Sequence, residues 1–205
     1  MKFKTCLAPV AALVLLGASC SHGEESECAK YVAMLSSQNP FSVFKSIRDN
    51  MCQDAVEPLG EMLTADSGAR KVEILRLVMD LWNPSVNDPK LKAQVEKFEA
   101  KKKVYREILK KGFLEPETAV LAASAVTDWG MNDLRPDLVA MIQADLARPT
   151  PRFVKAYHNA MNSIMAAEPE VNEEAMFVQL LSTIHDEPDY IEVNKMAAEA
   201  LGKLR

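Results

Sequence analysis

Apolar residues recur every three or four positions along most of this chain, the spacing of helices packed on one face. A first helix is predicted from Ser26, a good N-cap, with Tyr31, Val32 and Leu35 on one side. The polar run 36–39 ends it, and Pro40 opens a second helix carrying Phe41, Phe44, Ile47 and Met51. Asp54 is expected to cap a third, with Pro58 in its first turn, where few N–H groups have partners anyway. Ser67 begins a fourth, through Val72, Leu75, Val78, Met79 and Trp82. The stretch 83–89, NPSVNDP, reads as a linker.

Lys90 to Lys111 then forms a long helix without proline or interior glycine, and Gly112 is expected to stop it. Pro116 opens a sixth, with Val120, Leu121, Ala125 and Val126, ending at Trp129. Four more follow over Asp133–Ala147, Thr150–Ala166, Asn172–His185 and Pro188–Leu204, three of them starting on residues that accept backbone hydrogen bonds. Runs of β-branched residues of strand length are missing, and alanine, leucine, methionine, lysine and glutamate are plentiful. The fold class expected is all-α, with about ten helices.

The one apolar run without helical alternation is Leu7 to Cys20, preceded by Lys2 and Lys4. It is too short to span a bilayer core of ~30 Å and has the charge, apolar run and small residues of a secretory signal. Its end, Leu16-Gly17-Ala18-Ser19-Cys20, resembles the lipobox of bacterial lipoproteins, although Gly17 stands where leucine is usual. The resemblance implies cleavage after residue 19, a lipid on Cys20 and a short polar tether over 20–25. The folded body is then 26–205. Ser21 replaces the aspartate that signals inner-membrane retention in the enteric lipoproteins this resembles, which implies the periplasmic face of an outer membrane.

Export changes the meaning of the cysteines. With Cys6 in the signal and Cys20 acylated, Cys28 and Cys52 remain. An antiparallel hairpin of the first two helices sets the start of one beside the end of the next, so these two are expected to form a disulfide. Closing such a loop stabilises by about 3 kcal/mol in the chain-entropy picture. Without residues 1–19 the chain holds 22 basic and 29 acidic side chains. That balance argues against a general nucleic-acid binder.

The helices around Leu59–Leu63, Leu138–Ile142 and Phe177–Leu181 align without gaps, with Leu63, Ile142 and Leu181 separated by 79 and 39 positions. Ala197-Ala198-Glu199-Ala200-Leu201 likewise matches Ala122-Ala123-Ser124-Ala125-Val126. A spacing near 40 residues is that of helical solenoids. Over 52–81 and 116–205 the chain resembles HEAT-like repeats of the short-helix kind found also in phycobilisome lyases, best at Asn194–Leu204. The resemblance implies a short right-handed α-solenoid of helix pairs, with the long basic helix as an insertion.

That basic helix is the strongest functional feature. Lys90 to Lys111 holds nine lysines or arginines against Glu96, Glu99 and Glu107. Lys101, Lys102, Lys103, Arg106 and Lys110 are the candidate contacts for an anionic partner, with pairs such as Glu99–Lys103 and Glu107–Lys111 as the plainer account. Glu168 to Glu192 is acidic, but lacks the tight glycine turn of a calcium loop. His158, Met161 and Met165 share one helix side, a row with ligand types that suit copper(I), although methionine also fills helical cores. No nucleophile elbow, phosphate loop, His-Glu-x-x-His or dinucleotide fingerprint occurs. The expectation is a lipid-anchored envelope protein, without catalytic activity or cofactor, that binds a protein partner as a scaffold or adaptor. The alternatives are a periplasmic ligand or metal binder and a lyase-like enzyme.

Overall fold

The computed structural model describes residues 27–37, 39–66, 68–183 and 188–205. Among the described residues there are ten α-helices and no strand. The proposed signal, Cys20, the tether, Ser67 and His185 lie outside them.

Helices α1 (Glu27–Met34) and α2 (Phe44–Asp49) form the expected hairpin, the second entered through a 3-10 turn at Pro40–Val43. Cys28 and Cys52 close it, with Cα atoms 5.4 Å apart and an S–S bond of 2.01 Å. Both sulfurs sit in the core. Helices α3 (Val56–Ala65) and α4 (Ala69–Asp80) follow, then the long α5 (Lys92–Gly112) and α6 (Pro116–Asp128). The chain finishes with α7 (Arg135–Leu146), α8 (Val154–Met165), α9 (Glu174–Ser182) and α10 (Asp189–Lys203).

Four of the predicted starts are displaced inward for one shared reason. A three-residue 3-10 turn precedes each of α3, α5, α7 and α9, at Gln53–Ala55, Pro89–Leu91, Asn132–Leu134 and Val171–Glu173. Asp54, Asp133 and Asn172 therefore lie within these turns and do not cap the helices that follow. Thr150 does not cap α8 either; that helix starts four residues later, and Asp145 serves its entry turn from the preceding helix.

Successive helices pack in pairs: α1 with α2, α3 with α4, α5 with α6, α7 with α8 and α9 with α10. Each even-numbered helix from α2 onward also packs on the next even-numbered one, and on the odd side α3 meets α5 and α7 meets α9. The closest of these contacts, α6 on α8, follows from the small residues of α6. Ala119, Ala122, Ala123 and Ala125 are all buried. With so little side chain between the helices, α8 reaches the α6 backbone directly. Asn159 donates to the Val120 carbonyl at 3.0 Å and Ser163 to that of Ala123 at 3.2 Å.

Gly112 has a different role from the stop predicted for it. It is the last residue of α5, and a Cβ there would lie 2.9 Å from the Ala122 Cβ. Gly60 is its counterpart between α3 and α5, where a Cβ would meet Ile108 at 2.8 Å. Both glycines are spaces for a neighbouring helix. The glycines with positive φ are instead Gly68 and Gly130, each joining two helices, and Met51 and Asn83 share that backbone region.

Candidate functional site

The basic residues of α5 project to both sides, toward two different acidic helix starts. Lys97 and Lys101, one turn apart, pair with Asp54 and with Glu57, the latter at 3.0 Å. Arg106 and Lys110, again one turn apart, pair with Asp133 at 2.8 Å and Asp137 at 3.5 Å. Lys111 donates to the Gly60 carbonyl at 3.2 Å. The acids sit in the entry turns of α3 and α7, where negative charge also favours the helix dipole. Within α5 the local pair is Glu99–Lys102 at 2.8 Å, in place of the predicted Glu99–Lys103. Lys103 is exposed, and no ion pair reaches it among the described residues. Of the five candidate contact residues, Lys101, Lys102, Arg106 and Lys110 thus have carboxylate partners within the chain.

Beneath this helix lies an aromatic cluster. Trp82 and Trp129 stack with centroids 4.3 Å apart, and Tyr105 meets both edge-on. Phe98 closes the group against Trp82 at 4.8 Å. The Tyr105 hydroxyl donates to Gln53 Oε1 at 2.8 Å and faces the Leu81 carbonyl at 3.0 Å. Gln53 in turn donates to Leu81 at 2.7 Å, and its backbone N–H donates to Gln94 at 2.9 Å. Gln94 also reaches Cys28 Sγ at 3.5 Å, which ties the disulfide to α5. Burial holds the Tyr105 hydroxyl well above the ordinary tyrosine range, with the Gln53 bond opposing it.

Two buried charged centres organise the second half. Asp145, fully buried, accepts hydrogen bonds from the Arg152 and Phe153 N–H groups at 2.8 and 2.7 Å and from the Tyr157 hydroxyl at 2.7 Å. Burial, together with this carboxylate, pushes the Tyr157 hydroxyl far up. Arg135 and Glu173 form a two-armed pair at 2.8 and 2.6 Å, and Glu173 also takes the Glu170 N–H at 2.9 Å. The bond to Glu173 raises the Arg135 value still further. These bonds make Asp145 and Glu173 positioning groups for loops and leave them little room for a ligand. An aspartate in the last turn of a helix opposes the dipole, and that is the one signal in the sequence that points to Asp145.

His158, Met161 and Met165 do share a helix side, but Met161 is fully buried in the core and Met165 packs against it. Among the described residues, no group of three or more His, Cys, Asp or Glu side chains converges on a point that would hold a metal ion. No helix among them is long and apolar enough to cross a membrane.

Large apolar side chains are exposed at Met34, Val86, Leu114 and Val171, and on the last two helices. Val178 and Leu181 of α9 are 51% and 41% exposed, and Ile191 of α10 is 62% exposed. Leu63 and Ile142, which align with Leu181, are 3% and 0% exposed. The chain matches no family model, no curated protein and no solved structure. What it does is therefore argued from these surfaces alone.

Proposed function

We propose that this chain is a lipid-anchored envelope protein whose body is a short right-handed HEAT-like solenoid serving as a protein-interaction scaffold. Four features support the solenoid reading: the consecutive helix pairs, the even-numbered series from α2 to α10, the 3-10 turn before each odd helix from α3 onward, and the 39-residue spacing. Anchoring rests on the lipobox-like Leu16–Cys20, and alkyne fatty-acid labelling that is lost in Cys20→Ala is the expected outcome.

One observation carries the docking surface. Leu63 and Ile142 belong to helices that have an odd-numbered successor packed on them, and both are buried; Leu181 belongs to α9, which has none among the described residues, and is open to solvent. The α9 face that carries Val178 and Leu181, about one turn apart, is what one further helix would cover in an array of this kind. Glu174, one turn before Val178, is exposed, while Glu192 of α10 is paired with Lys195 at 2.6 Å, so a partner helix with a basic residue facing Glu174 is the complement. The α5 lysines support the scaffold more than the contact, because they hold α3 and α7 in place.

Crosslinking the tethered protein in its native envelope tests this. Val178→Asp with Leu181→Asp should abolish specific crosslinks and leave the melting temperature within a few degrees. Retention of the same crosslinked species by this variant would defeat the proposal. Their loss on neutralising Lys101, Lys102, Lys103 and Arg106, with the α9 variant unaffected, would return the contact to the basic helix.

A further inference from the structure

Within the odd-numbered series from α3 to α9, the packing is interrupted between α5 and α7. Backbone contact between them is sparse, and Arg106–Asp133 and Lys110–Asp137 link the two helices. Beside these pairs runs a groove of about 320 Å3. Its walls are Phe113, Ala140, Met141, Ala144 and Phe153, with Leu114 exposed at the lip. The groove exists because α7 turns small residues toward α5. Ala140 aligns with Gln179 of α9, which fills its own interface by bonding the Leu146 carbonyl at 3.0 Å. Ala144 continues the same face one turn on, and both alanines are open to solvent.

The polar groups at the groove are unequal. Asp145 is saturated by two backbone N–H groups and a tyrosine hydroxyl, and Asp137 faces Lys110. Arg148 is half exposed, and its Nε forms a long ion pair with Asp145 Oδ1 at 3.9 Å, beyond hydrogen-bond distance. An apolar trough with one available guanidinium at its rim is complementary to a planar oxyanion carried on an apolar body. Its volume lies at the small end of the ~300–1,000 Å3 range of ligand sites. We propose that this groove binds a small amphipathic carboxylate, its alkyl or aryl body between Phe113, Met141 and Phe153 and its carboxylate on Arg148. Binding here does not depend on the α9 surface.

The test is calorimetric titration of the full chain in lipid nanodiscs, against empty discs, with 4-phenylbutyrate as probe and 4-phenylbutanamide as its neutral counterpart. The carboxylate should bind saturably, with a midpoint below about 1 mM and at least about tenfold tighter than the amide. Arg148→Gln should remove the preference while keeping the weak apolar binding. Ala140→Gln and Ala144→Leu, both at exposed positions, should each block the groove and leave the melting temperature unchanged. Failure to saturate, equal affinity for acid and amide, or unaltered binding in the groove-filling variants would overturn the assignment. A preference that survives Arg148→Gln would do so as well.

Discussion

The pair between Arg135 and Glu173 offers the sharpest measure of how the second half of the chain is held. Both side chains are over nine-tenths buried, at 9% and 4% exposure, so solvent screens them little. Removing one partner strands the other charge in the core. Breaking a buried pair in this way costs about 3–5 kcal/mol. Glu173→Met also loses the bond from the Glu170 N–H and with it the capping box before α9, worth about 1 kcal/mol more. Arg135→Met leaves the Glu173 carboxylate with that single N–H and should cost a similar 3–5 kcal/mol. The double variant buries no charge, since two methionines fill the space, and should lose only the cap and some packing, about 1–2 kcal/mol. For a chain of this size, Arg135→Met lowers the melting temperature by roughly 6–20 °C, Glu173→Met by roughly 8–24 °C, and the double variant by much less. Urea unfolding of all four proteins gives the cycle directly. If the double variant costs the sum of the two singles, within about 0.5 kcal/mol, the residues are not coupled and the pairing argument fails.

The disulfide should resist a heavy maleimide at Cys28 and Cys52 in unreduced protein, and its removal by Cys28→Ala with Cys52→Ala should cost about 3 kcal/mol, given the 24-residue separation. Maleimide shifts at both residues without reductant would refute it. Stability should also fall at alkaline pH. Burial raises the folded-state values of Tyr105 and Tyr157, so the neutral hydroxyl is favoured in the folded chain. Their contribution is complete below the ordinary tyrosine value near 10 and is lost as pH rises beyond it, by up to about 1.4 kcal/mol per pH unit for each residue. Tyr157→Phe, although less stable at neutral pH, should show a shallower decline in stability between pH 10 and 11.5; an unchanged slope would show that this hydroxyl ionises as freely folded as unfolded.

The parts of this protein legible in its sequence are those set by neighbours along the chain. Helix existence follows from apolar spacing, and the openings at Pro40, Pro116 and Pro188 from proline, because a missing N–H acts where it stands. The Cys28–Cys52 bond was legible for the same reason, since a short hairpin leaves its two ends few places to go. The 3-10 turns were not. A polar residue before an apolar run looks the same whether it caps a helix or occupies a tighter turn ahead of it, and tertiary packing makes the choice at Asp54, Asp133 and Asn172.

The charge of α5 was equally plain in its lysines, yet its use was not. Lys101 meets Glu57 and Arg106 meets Asp133, partners 44 and 27 positions away that only the packing of α3 and α7 brings within reach. Gln53 and Asp145 carry no local mark of burial beyond the dipole conflict at Asp145, because their partners are backbone groups of other segments. Leu63, Ile142 and Leu181 mark the limit most clearly. They occupy the same place in matching stretches, and the first two are buried while the third is exposed. A residue pattern can state that a helix face is apolar; whether another helix packs over it is decided by the tertiary arrangement, which no local stretch encodes.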